Sequence, residues 1–298
     1  MNGFWVVIIG ALVAASCSIL GSFLVLRRMA MLGDAISHAV LPGIVMAYFY
    51  TGDRNPLAML VGAVLIGLLT TFLIQTLQSS LKVQADAAIG LIFTAFFSVG
   101  VLLISRFGHN LDLDMDCVLF GEIAYTPFNR WTLENGLYLG PKAVWTMGSA
   151  LLLIVLFVWF GYRALLVSSF DEKFAAVAGL SVYFWHYALM AMVSVSTVAA
   201  FESVGAILVL VFLISPAASA YLFTKNLLQM IFLGCFFGVL ASPLGYWLAL
   251  VIDASVSGCM ALVSGTIFML CLLFKSYKTK FLKSKLSAKG TRVEVTKV

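Results

Sequence analysis

Charge is what this sequence has least of. Asp, Glu, Lys and Arg make up 10% of its 298 residues, against about 25% in a soluble domain, and 62% are hydrophobic. That excludes an ordinary soluble protein and leaves a single polytopic membrane domain. The net charge of +5 does not make a nucleic-acid surface, because the basic residues sit in short loops and a C-terminal tail with no soluble domain to present them. The five cysteines are scattered without a C-x-x-C pair, so no disulfide framework is implied. A G-x-x-x-x-G-K-[ST] loop is missing, and with it ATP hydrolysis by that route. G-x-S-x-G and H-E-x-x-H are missing too, and no other catalytic constellation stands out, so the chain is read as a non-enzyme. No Lys or Arg precedes Arg27. The basic start of a cleavable signal peptide is therefore lacking, and the first apolar segment is expected to stay in the mature protein.

What remains is a series of apolar runs. Nine stretches, at 4–26, 30–50, 57–77, 88–105, 144–162, 180–199, 204–223, 228–250 and 258–274, each suffice for a helix across a hydrocarbon core of about 30 Å. The expected fold is all-α with about nine transmembrane helices, or eight if a short or interrupted run is only a half-helix. Residues 1–274 form the transmembrane domain and 275–298 a basic tail. Placing the N-terminus outside leaves only Arg54, Arg106, Arg130 and Lys142 of the 18 basic residues on the outer side; the positive-inside rule then puts the C-terminus in the cytoplasm. The same assignment gathers Asp112, Asp114, Asp116 and Glu122 in one outer loop. Such a vestibule would concentrate cations, although an ordinary solvated loop explains it equally. The D-L-D-M-D run lacks the Gly and terminal Glu of an EF-hand.

Against that background, Asp34 and His38 stand out. Four residues apart, they share one helix face, roughly 9 to 15 Å from Arg28 at helical rise. Ionisable groups inside a span mark a substrate or ion path by default, and carboxylate plus imidazole is a ligand set for divalent transition metals. An intrahelical Asp–His bond or an N-cap role for Asp34 are the plainer explanations. Pro42-Gly43 follows, a pair that can break the helix and free carbonyls. Glu202, where two apolar segments meet on the outer side, is a second and weaker metal candidate; a solvated loop acid accounts for it at least as well. The inner loop 163–179 carries a short amphipathic pattern, with Phe170, Phe174 and Val177 on one face and Asp171 and Glu172 outside it. It could lie on the membrane or dock on a cytoplasmic partner. His186, alone in an apolar span, reads as a helix–helix contact.

Five segments carry a family resemblance: LRRMAMLGDAISHAVLPG at 26–43, DAAIGLIFTAFFSVGVLL at 86–103, LFGEI at 119–123, SFDEKFAAVAGL at 169–180 and VGAILVLVFLISPAASAYL at 204–222. The chain resembles the membrane permease subunit of bacterial ABC importers for manganese, zinc or ferrous iron, the ABC-3 permease family. That resemblance implies a fold similar to the vitamin B12 and siderophore permeases without their first helix. It also implies a homodimeric core in the bacterial inner membrane, two cytoplasmic ATPase subunits and an extracytoplasmic metal-binding protein. The metal would be cargo, with no permanently bound cofactor. Asp34 and His38 would then line the metal path, and Phe170, Asp171, Glu172, Phe174, Ala175 and Gly179 would belong to the helix that couples to the ATPase. The alternative is a stand-alone ion-coupled secondary transporter or channel with Asp34 as a relay, for which no inverted repeat is visible.

Overall fold

The computed structural model describes residues 2–51, 56–107, 123–124, 126, 130–132 and 138–288. Eleven helices and one hairpin are seen in that part of the chain. Uninterrupted apolar sequence makes long helices here, since in a bilayer a helix satisfies every backbone polar group within its own segment. The helices are α1 (Asn2–Leu26), α2 (Ala30–Ala39), α3 (Leu41–Thr51), α4 (Pro56–Ser80), α5 (Ala85–Phe107) and α6 (Lys142–Phe170), then α7 (Glu172–Val177), α8 (Val182–Val204), α9 (Ala206–Tyr221), α10 (Leu227–Ile252) and α11 (Val256–Ala288). Between α5 and α6, β1 (Arg130–Thr132) pairs antiparallel with β2 (Tyr138–Pro141), a small hairpin absent from the all-helical expectation.

Eight described helical segments are long and apolar enough to cross a membrane, with α2 and α3 together making one of them. The ninth, α9, has 16 residues and rises about 24 Å, short of a full hydrocarbon core. This explains why sequence alone hesitated between eight and nine. Only Gly205 separates α8 from α9, at φ 81° and ψ 165°, a conformation that costs a residue with a Cβ far more than glycine. The chain reverses there.

Helix α1 is apolar all round and is the most buried span, as expected of a helix with no polar face. It packs on α6, α8, α9 and α10, and α11 closes behind α9 and α10. On the other side, α2 and α3 pack on α4 and α5, and α4 also meets α8. Small residues set the close crossings. Ser215 Oγ of α9 donates to the Ser264 carbonyl of α11 at 2.8 Å, and Ala217, Ser219 and Ala220 are buried around the Pro216 position. The run of small residues at 215–220 thus serves packing.

Helices α3 and α4 cross backbone to backbone: a Cβ on Gly43 would strike the Gly62 carbonyl, and one on Gly62 the Gly43 carbonyl. Overpacking of this kind costs about 1–3 kcal/mol. Gly62→Val is therefore expected to lower the thermal unfolding midpoint of the detergent-solubilised protein. An unchanged midpoint would mean that the crossing relaxes freely.

The two ends of the bundle are marked by contacts. At one end Arg27 meets Ser168 and Ser169, and Leu26, Phe170, Tyr221, Lys225 and Lys275 line one cavity. At the other, Trp5 lies against Gly140 and Tyr246 against Gly3. Helices α1, α6, α9 and α11 all run toward the first end.

Candidate functional site

Helix α2 begins at Ala30, with Met29 at its N-cap and no side-chain capping bond. Asp34 is therefore in the second turn, which removes the N-cap explanation. His38 Nε2 lies 3.4 Å from Asp34 Oδ1, so the four-residue spacing brings imidazole and carboxylate together on one face. Their side chains are 29% and 41% exposed respectively. Such half-open ionisable groups inside a span call for a covering partner or a water-filled path.

The helix breaks immediately beyond this pair. α2 ends at Ala39 and α3 starts at Leu41. Pro42 stands four residues after His38 and has no N–H, so it cannot give the His38 carbonyl its usual helical bond. Two groups that the sequence reading did not associate with the site flank the imidazole. The rings of Phe93 and Phe97 on α5 have centroids 5.5 and 6.0 Å from that of His38. Four residues apart, they are themselves a same-face pair, and that spacing was the available signal. Among the described residues, no group of three His, Cys, Asp or Glu side chains could hold a metal. The Asp34–His38 pair thus offers two side-chain ligands, an incomplete shell.

The other predicted positions are distributed as follows. Glu202 falls in the last turn of α8, before the Gly205 reversal; its side chain lies outside the described residues. Asp112, Asp114, Asp116 and Glu122 also lie outside them. The amphipathic helix anticipated within 163–179 is shorter than its pattern. α6 continues to Phe170, and only Glu172–Val177 forms a separate helix. Phe170 thus ends α6 instead of sharing the α7 face. Asp171 caps α7 by accepting the Phe174 N–H at 3.0 Å, and Gly179 turns the chain with φ 78°. Ala175 is fully buried, while Phe174 is 61% and Val177 87% exposed. His186 makes the expected helix contact, its Nδ1 lying 3.3 Å from Arg27 Nη1.

Residues 2–275 match the model of the ABC 3 transport family. This chain belongs to that family. It is 46% identical to the manganese transport system membrane protein MntD of Bacillus subtilis over 91% of both chains. It is 40% identical to the zinc transport system membrane protein TroD of Treponema pallidum, over 90% of this chain and 73% of that one. Among solved structures it is similar to PsaBC from Streptococcus pneumoniae in complex with Fab. The TM-score there is 0.73 at 32% identity, covering 90% of this chain and 89% of that one. The chain is thus a multi-span permease subunit of an ABC importer in the cytoplasmic membrane.

Proposed function

We propose that this permease carries a divalent transition metal, manganese, zinc or ferrous iron, into the cell through a path lined by Asp34 and His38. The carrying observation is the half-exposed carboxylate–imidazole pair in the first half of the Met31–Thr51 span in a chain of this family. An incomplete ligand set suits transit, because a conduit must release what it binds. Two copies facing one another would cover the open faces of Asp34 and His38 and double the ligand number. A homodimer is therefore part of the reading.

Two cytoplasmic ATPase subunits dock on α7, where Phe174 and Val177 stand exposed, and drive the path from outward to inward facing. An extracytoplasmic metal-binding protein delivers the ion to the outer acids Asp112, Asp114, Asp116 and Glu122, with Glu202 near the entrance. The end of the bundle bearing Arg27, Lys225 and Lys275 faces the cytoplasm, in keeping with the positive-inside rule. The N-terminus then lies outside, and the basic residues 275–298 follow the transmembrane domain on the inner side.

Carboxylate plus imidazole suits manganese, ferrous iron and zinc alike. Elemental analysis of cells with and without the gene, grown in metal-poor medium, tests the reading. A deficit in manganese, zinc or iron is expected in the deletion strain, restored by the gene in trans. Equal contents of all three metals would defeat it.

A further inference from the structure

The permease must pass a signal from α7 to the segment bearing Asp34 and His38, and these elements share no substantial interface among the described residues. One side chain bridges the gap. Arg27 follows directly on α1, and its guanidinium reaches at least three groups among the described residues. Nη2 donates to Ser168 Oγ at 2.8 Å, Nε donates to Ser169 Oγ at 3.1 Å, and Nη1 lies 3.3 Å from His186 Nδ1. The two serines form the last turn of α6, immediately before α7, while His186 sits in the second turn of α8, just after it. Arg27 therefore holds both flanks of the ATPase-facing helix.

The acceptors are prepared for this role. Ser168 and Ser169 each donate their hydroxyl proton to the Leu165 carbonyl, at 3.3 and 2.6 Å, which leaves their oxygens free to accept from the guanidinium. His186 is buried, and its Nε2 has no hydrogen-bond partner among the described residues. With the proton on that nitrogen, Nδ1 is an acceptor for Arg27. A planar fork can address three separated acceptors at once; an ammonium at one point cannot.

On its other side Arg27 is tied to the metal segment by a tight turn. Arg28 adopts φ 57°, the Arg28 N–H bonds the Val25 carbonyl at 3.1 Å, and the Met29 N–H bonds the Leu24 carbonyl at 2.9 Å. This is a locked helix end, and α2 starts at the next residue. A displacement of α6 or α8 at Arg27 is thus delivered to the base of α2 at Ala30, four residues before Asp34.

We propose that Arg27 is the positioning residue that transmits motion of α7 to the Asp34–His38 segment. This rests on the importer reading above. The test uses the permease assembled with its ATPase and metal-binding protein in proteoliposomes, measuring basal ATP hydrolysis, hydrolysis stimulated by the metal-loaded binding protein, and metal uptake per ATP. Arg27→Gln is expected to assemble and keep basal hydrolysis but to lose about tenfold in uptake per ATP, within the range of a coupling change. Arg27→Lys should fall between. The paired substitution Ser168→Ala with Ser169→Ala, which leaves Arg27 in place, should move in the same direction.

Uptake per ATP unchanged in Arg27→Gln overturns the proposal. A parallel loss of assembly, basal hydrolysis and uptake in the paired serine variant does so too, since Arg27 would then merely hold the fold together. A wild-type complex with no metal-stimulated hydrolysis and no uptake removes the importer reading itself, and this inference with it.

Discussion

Replacing His38 with alanine is expected to lower metal uptake by about tenfold or more, since even outer-sphere changes at metal sites cost 10–100-fold. Asp34→Asn should act similarly: it keeps the size of the side chain and removes the negative charge that attracts the cation. In a symmetric pair each substitution takes two ligands from the path at once. Neither should unfold the protein, because both side chains are partly exposed and leave no buried cavity. Uptake of radioactive manganese, zinc or iron by cells producing equal amounts of each variant provides the measurement. Normal uptake in both variants would return the pair to the plainer role of an intrahelical contact.

Loss of the ATPase should be the result of Val177→Asp or Phe174→Asp. Both side chains project from α7, at 87% and 61% exposure, so substitution disturbs little within the chain itself. A charge there would need desolvation on docking, and central apolar anchors dominate such interfaces. Co-purification of the ATPase with the tagged permease should fall by about tenfold or more, and uptake with it. Ala175→Asp offers the contrast, since Ala175 is fully buried and a carboxylate there should destabilise the permease itself. If the Val177 and Phe174 variants both retain the ATPase, α7 is not the docking element.

The Asp34–His38 contact was legible because it is local: four residues on one helix fix it without reference to the rest of the chain. The amphipathic pattern at 163–179 was legible only in part. Phe170 matches the periodicity of Phe174 and Val177, yet it closes α6, because Asp171 leaves helical geometry to cap α7. Such a one-residue break has no periodic signature. Phe93 and Phe97 lie within a uniformly apolar run, and nothing in the sequence says which face of α5 meets α2. Arg27 was visible as a topology marker, but its partners lie 141 to 159 positions away.

The sequence by itself determined the membrane class, the approximate limits of most spans and the local Asp34–His38 pair. These follow from hydropathy and helical spacing, because each helix in a bilayer closes its own hydrogen bonds. The tertiary structure decided that α1 is central, that α9 stops short of a full span, that α5 aromatics flank His38, and that Arg27 joins the flanks of α7 to α2. In a bilayer the apolar surfaces of helices resemble one another and the lipid. Which of them meet is set by small-residue contacts and a few long-range hydrogen bonds, and these exist only once the chain has packed.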